Sequence, residues 1–496
     1  MPAKDTVVIV LAAGKGTRLY SDIAKVLHKV GGRPIIENVL RACEPLRAAE
    51  TIVIVGHEKE AVTAAVTPFG AKTVLQNPQR GTGHAVQVAR RAIRRGAKIA
   101  LVVPGDAPLL RAETISALLR THRAGDAAAT ILSAQLPDPT GYGRIIRKSD
   151  GSVAEIVEER AASPEQREIN EVNSSIYCFT LEKLWPALAA IRPENVHHEL
   201  YLTDAIEELN KRGERVLASL AGDATEILGC NTRESLADAD RILRRRKVAE
   251  LMADKSGAGV TIYLPETVVI DADVTVGRDT VIEPGVQLLG KTRIGARCTI
   301  RSGSIVTDSR IEDDVFIEAY CTVVESRLAK NSRIGPFARL RPGADLREGA
   351  RVGNFVEVKK SVLHEGAKAP HLTYVGDATV GAGSNIGAGT ITCNYDGVRK
   401  NQTTIGKGVF IGSDSALVAP VRIGDGAYIA AGSTITENVP PDALAIARGR
   451  QVIKPKWAAA RRAEMAKALK SHGKPKSRGK KSGRRARSRR KPSRRR

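Results

Sequence analysis

No CxxC pair joins any of the six cysteines of this 496-residue chain, which stand far apart at Cys43, Cys178, Cys230, Cys298, Cys321 and Cys393. Such scatter argues against a disulfide framework and against metal binding by thiolates, and it suits a reducing compartment. Nothing at the N-terminus combines the basic, apolar and small-residue regions of a secretion signal. No apolar run approaches the roughly 20 residues that span a bilayer, so a cytoplasmic protein without a membrane span is expected. Interleaved aromatics are missing from the basic C-terminal end, where 18 Lys and Arg stand against the single acid Glu464 between Arg461 and Arg496. That stretch holds most of the formal net charge of +24, and the body is only mildly basic. Any polyanion binding by it is expected to be nonspecific and salt-sensitive, with no specific nucleic-acid partner.

What is present begins with a hydrophobic share of 42%, enough for more than one core. Apolar runs at Thr6 to Ala12, Thr51 to Val55 and Ile99 to Val103 read as buried strands. They alternate with amphipathic segments such as Pro34 to Ala42 and Glu113 to His122, and this alternation predicts a mostly parallel α/β sheet. From Arg233 to Ala253 a helical pattern returns as a connector, and beyond Asp254 the grammar changes.

There an aliphatic falls every sixth residue: Val276, Ile282, Leu288, Ile294, Ile300 and Val306, then Ile311, Ile317 and Val323, then Leu328, Ile334, Leu340, Leu346, Val352 and Val358. The register returns at Ile405, Ile411, Leu417, Ile423, Ile429 and Ile435, with small residues such as Ser415, Ala427 and Ser433 in the places between. A period of six is not a helical face, and the hairpin turns of an antiparallel sheet are absent. It suits short strands wound into a triangular prism, aliphatics inward and small residues at the corners, each coil of about eighteen residues stacked at about 4.8 Å on the next. Two interruptions, Gly366 to Tyr374 and Thr392 to Thr403, are expected to project as polar loops. Trp457 to Leu469 can form a basic helix, and Ser471 to Arg496 has a disordered composition.

The turn Leu11-Ala12-Ala13-Gly14-Lys15-Gly16-Thr17-Arg18-Leu19 follows the first strand, where backbone N–H groups can approach phosphates. Gln76, the run Gly81-Thr82-Gly83-His84-Ala85 and the strand end Gly105-Asp106-Ala107-Pro108 accompany it. With Pro139 to Arg144, Ile156-Val157-Glu158, Glu171-Val172-Asn173 and Tyr201-Leu202-Thr203-Asp204, these motifs resemble the sugar-phosphate nucleotidyltransferases. From Val7 to about Arg448 the chain resembles the bifunctional bacterial N-acetylglucosamine-1-phosphate uridyltransferase/glucosamine-1-phosphate N-acetyltransferase family.

The resemblance implies an α/β chain: a Rossmann-like nucleotidyltransferase domain over residues 1–231, a connector helix over 232–253, and a left-handed parallel β-helix of hexapeptide repeats over 254–448. A C-terminal helix over 449–470 and the basic tail 471–496 follow. It further implies that Leu11, Ala12, Ala13, Gly14, Lys25, Gln76, Gly81 and Thr82 hold UTP, that Gly143, Glu158 and Asn173 hold the sugar, and that Asp106 and Asn231 bind Mg²⁺. Arg18 and Lys25 would neutralise crowded phosphate oxygens as one anion attacks another. Three departures from the family pattern bear on the sugar pocket: Ala24 before Lys25, Ser175 in place of a glycine, and His197-His198 before Glu199.

In the repeat region the resemblance implies that His371 is the general base of acetyl transfer, with Glu357 and Asn394 as orienters, and that Arg341, Lys359, Tyr374 and Asn385 bind glucosamine-1-phosphate. It assigns acetyl-CoA to Ala388, Asn394, Tyr395, Ser413, Ala431 and Arg448, at contacts between the chains of a homotrimer. Pro370 stands where relatives carry glycine. The chemistry fits, because the amine needs a proton acceptor and imidazole titrates near neutral pH. The expected product is UDP-N-acetylglucosamine, a precursor of bacterial cell-wall and outer-membrane sugars. The competing reading keeps only the nucleotidyltransferase and makes the repeats a scaffold.

Overall fold

The computed structural model describes residues 3–193, 199–253 and 259–472. His197 and His198 lie outside the described residues, as does the tail beyond His472. The chain divides into two compact units, Met1–Ile446 and Ala447–Arg496.

In the first unit the strand Thr6–Ala12, buried nearly throughout, lies at the middle of a mixed sheet. Glu50–Val55 pairs with it on one side and Ile99–Pro104 on the other, both parallel. Lys72–Leu75 extends the parallel edge. The long strand Glu171–Thr180 runs antiparallel between Ile99–Pro104 and Ala129–Gln135. The chain leaves Thr6–Ala12 toward one side and later returns on the other, so a crevice opens where the strand order reverses, the place at which open α/β sheets bind ligands. Val and Ile on the two faces of the central strand feed two separate cores, one with Val8 and Val10, the other with Val7 and Ile9.

The helix Arg233–Met252 starts at a Thr232 cap and leads into the repeats. Arg244 pairs there with Asp240 and with Asp271 at 2.7 Å, and Arg33 pairs with Asp273, so the helix and the first coil are tied to the α/β part by ions as well as packing. From Thr261 onward, short parallel strands stack into three sheets of 11, 10 and 9 strands, each strand pairing with the one a full coil later. This is a parallel β-helix, and every aliphatic of the six-residue register is buried inside it. Small corner residues point inward too, and hydroxyls among them are satisfied on backbone, as where Thr280 donates to Gly295 O at 2.9 Å and Ser384 to Gly406 O at 2.7 Å.

One expected interruption is absent. Lys368–His371 pairs in register with Arg351–Asn354, and Tyr374–Gly376 with Glu357–Lys359, so Gly366 to Tyr374 is ordinary coil and not a projecting loop. The inward positions there are filled by Ala369, Val375 and Val380, all buried. Alanine hid the register. The second interruption is real: between Ile391–Cys393 and Thr403–Ile405 the chain makes an excursion closed by a Tyr395 to Lys400 bridge. The second unit, described by itself, contains Arg448 and the helix Trp457–His472.

Candidate functional site

The first strand ends in the Gly-rich turn, and a cavity of about 520 Å³ opens above it. Leu11 to Thr17, Lys25, Gln76, Gly81, Thr82 and Asp106 line it, together with Gln79, Ser175 and Glu199. Gly16 has φ +62°, and a Cβ there would sit 2.5 Å from Cβ of Lys25, so glycine is what lets the lysine fold back under the turn. Lys25 forms an ion pair with Asp106, and its Nζ donates to Asn231 Oδ1 at 2.7 Å. Arg18 donates to the same oxygen at 2.9 Å. Two cations, one carboxylate and one amide oxygen thus meet at the mouth of the crevice. Gln76 donates to Gly81 O at 2.9 Å and Gln79 to Ala13 O at 2.6 Å, which fixes both walls of the cleft.

Beside the cleft, a Cβ on Gly143 would approach Glu158 Oε2 at 3.6 Å. Burial raises the Glu158 carboxyl above its ordinary range. Asp204 is pushed up to about 6, by burial first and then by Glu207 and Glu158. Asn173 donates to Tyr177 Oη at 2.9 Å and accepts from Ser175 N at 3.1 Å. Ser175 has φ +62°, the left-handed region, which explains why glycine suits this position. The serine places a side chain on the cavity wall.

On the β-helix, Arg341 donates to Glu357 Oε1 at 2.8 Å. One coil further, Lys359 lies 3.6 Å from Asp377, and Asn394 donates to Asp377 and, at 3.4 Å, to Tyr374 Oη. Lys400 comes from the excursion to meet Lys359, which holds its ammonium below the usual lysine range. Arginine and two lysines around a tyrosine and an amide make a surface suited to a phosphorylated polar ligand. His371 stands at the end of its strand, exposed, with Nδ1 2.7 Å from Asn354 Oδ1. Glu357 and Asn394, expected to orient it, are engaged with Arg341 and Asp377, and Asn354 takes that place. By register Asn385 sits over Lys368 on the sheet of His371, a different sheet from Tyr374.

Along the edge after His371 the coils climb in line: Leu372 N donates to Asn354 O, Gly389 N to Leu372 O, Asp414 N to Ala388 O and Gly432 N to Ser413 O. Ala388, Ser413 and Ala431 therefore rise from His371 up one edge. Tyr395 is exposed, its hydroxyl donating to Gly397 O at 2.6 Å. Of the residues not singled out from sequence, Gln79, Asn354, Asp377 and Lys400, two carry a signal. Asn354 precedes His371, and Asp377 precedes Asn394, by 17 residues, one coil. Among the described residues no group of three or more His, Cys, Asp and Glu could hold a metal, so any ion here would rest on few protein ligands.

Two family models match the chain: a MobA-like NTP transferase domain over residues 8–173, and a bacterial transferase hexapeptide of six repeats over residues 273–308 and 402–437. A "Bifunctional protein GlmU" of Koribacter versatilis is 48% identical over 93% of this chain and 98% of its own length. That of Solibacter usitatus is 49% identical over 93% and 98%, and that of Brevibacillus brevis 45% over 90% and 95%. A solved UDP-glucose pyrophosphorylase complexed with UDP-glucose overlaps 49% of this chain and 99% of its own at TM-score 0.40 and 18% identity, too distant to bear on the chemistry.

Proposed function

The chain belongs to the family of bifunctional GlmU proteins, and on that footing we propose how its residues divide two reactions. It is a bifunctional enzyme of UDP-N-acetylglucosamine synthesis: it acetylates glucosamine-1-phosphate from acetyl-CoA, then transfers UMP from UTP to N-acetylglucosamine-1-phosphate with release of pyrophosphate. The observation that carries the residue assignment is the presence of two separate polar centres, the Lys25–Asp106–Asn231 cluster at the cleft and the His371 edge of the β-helix.

In uridylyl transfer the Gly-rich turn receives the triphosphate through backbone N–H groups, with Gln76, Gly81 and Thr82 on the opposite wall of the cleft. Gly143, Glu158 and Asn173 hold the sugar beside it. Arg18 and Lys25 neutralise the phosphate oxygens while one anion approaches another. Asp106 and Asn231 fit a Mg²⁺ ion, because a carboxylate and an amide oxygen already converge on one cationic atom, Lys25 Nζ. When bound, the ion would add charge neutralisation between the phosphates.

In acetyl transfer Arg341, Lys359 and Tyr374 hold the phosphate and sugar of the acceptor, with Asn385 contributing from the His371 sheet. His371 takes the amine proton as the nitrogen attacks the thioester carbonyl, and the C–S bond then breaks, with coenzyme A leaving as its thiol and the acetyl group on nitrogen. Acetyl-CoA lies along the edge of Ala388, Ser413 and Ala431, with Asn394 and Tyr395 at the excursion; Arg448 is assigned to the same ligand by family resemblance. A neighbouring chain of a homotrimer closes that edge. The compartment is a reducing cytoplasm, in keeping with six free cysteines, and among the described residues no helix is long and apolar enough to cross a membrane. By this reading the domains meet at residues 231, 253, 448 and 470.

Purified protein incubated with UTP, Mg²⁺, acetyl-CoA and glucosamine-1-phosphate should yield UDP-N-acetylglucosamine by mass. Product from N-acetylglucosamine-1-phosphate but none from glucosamine-1-phosphate would leave only the scaffold reading of the β-helix.

A further inference from the structure

The strand Arg351–Asn354 lies directly under Lys368–His371, with Asn354 opposite His371. Gly353 permits that closeness: a Cβ on it would stand 1.7 Å from the carbonyl oxygen of Pro370. Leu372 N donates to Asn354 O at 3.0 Å, and Thr373 Oγ1 donates to His371 O at 2.6 Å, so the backbone leaving the histidine is held twice. On this frame the side-chain oxygen of Asn354 sits 2.7 Å from Nδ1 of His371.

We propose that Asn354 is a positioning residue for acetyl transfer: its Oδ1 accepts the Nδ1–H of His371, which fixes the imidazole tautomer and leaves the Nε2 lone pair as the proton acceptor. The inference rests on His371 being the base. An amide oxygen can only accept, so it selects the ring form protonated at Nδ1. An amide is neutral, so it orients the ring while stabilising the imidazolium less than a carboxylate would.

The full-length chain is compared with Asn354→Leu, which has no acceptor, and Asn354→Asp, which restores one. Asn354→Leu should lower kcat of acetyl transfer by about 10- to 100-fold, the scale on which partners that orient a histidine act, with little change in KM for acetyl-CoA. Asn354→Asp should recover most of that loss at mildly alkaline pH, and uridylyl transfer should be unchanged in both. Solid-state NMR of ¹⁵N-histidine-labelled wild type, with His371 identified by its loss in His371→Gln, should show Nδ1 protonated and Nε2 bare. An Asn354→Leu enzyme that acetylates at the wild-type rate, an Asp variant as impaired as Leu, or a ring protonated at Nε2 would each overturn the proposal. If Asn354→Leu misfolds, as loss of uridylyl transfer would reveal, the wild-type NMR result decides alone. Wild type that fails to acetylate at all would instead remove the reading of the site, and the tautomer would still be read independently.

Discussion

At the scale of single residues, Lys25 opens a short 3-10 turn beside the nucleotide cleft and His371 ends a strand of the β-helix, and neither shares a partner with the other. Lys25→Ala should cripple uridylyl transfer and leave acetylation of glucosamine-1-phosphate intact. His371→Ala should do the reverse, with a loss of roughly 10²- to 10⁴-fold typical of a missing general base. Coupled enzyme assays on both half-reactions, with melting curves as a control, check this. A different histidine governs stability. His122 is buried with its ring nitrogens 3.0 Å from Thr130 Oγ1 and 3.2 Å from Thr180 Oγ1. Burial, then the charge of Arg123, lowers its pKa to about 4. Between about 4 and 6.5 the unfolded chain therefore binds more protons than the folded one, and stability falls as pH drops through that window, by up to roughly 3 kcal/mol from this group. Denaturant titrations should show a shallower loss from pH 7 to pH 4 in His122→Gln. Asp204, pushed up to about 6, acts with the opposite sign, since its ionisation in the folded state is opposed as pH rises.

At the scale of elements, the coil is the unit that decides function. The six-residue register was legible up to Val358 and again from Ile405, but not between them, where Leu363 and Val380 each come after a step of about five residues. It was lost also where Ala369 and Thr392 fill the inward position. Thr392 is tolerated inside because its hydroxyl donates to Gly376 O at 3.0 Å and accepts from Gly376 N at 2.7 Å. At Gly366 to Tyr374, polar character looked like a loop where the backbone ladder is unbroken. Close stacking makes a sharp prediction. Gly353→Ala should push the Pro370-His371 strand off its neighbour, lowering the thermal midpoint and acetyl transfer together, with uridylyl transfer retained below the transition. An alanine variant with wild-type acetylation would show that the coils can separate without moving the histidine.

At the scale of the whole molecule, the two chemistries should be separable in trans. Mixing the Lys25→Ala and His371→Ala proteins should restore UDP-N-acetylglucosamine formation, because free N-acetylglucosamine-1-phosphate can pass between them. Failure of the mixture, with each half-reaction intact, would mean the intermediate is not released. Light scattering should give a trimer, and a stable monomer with full acetyl transfer would remove the shared-edge arrangement. The segment Ser471 to Arg496 contains none of the motifs, yet 14 Lys and Arg and no acid. Its deletion should leave both activities unchanged while abolishing most low-salt retention on a polyanion column.

The sequence by itself determined the class of each half, since periodicity records which residues must be buried: strands alternating with helices before Arg233, and a six-residue register after Asp254. It also determined the nucleotide turn, because glycines next to Lys15, Arg18 and Lys25 carry their chemistry within a few residues. Only the tertiary structure decided which side chains meet. Lys25 and Asn231 are 206 residues apart in the chain, and that contact depends on the whole α/β sheet closing. Asn354 replaced Glu357 and Asn394 as the partner of His371 for a simpler reason: stacking brings together residues one coil apart, here 17 positions, and that partner lies in another coil, which no local pattern records.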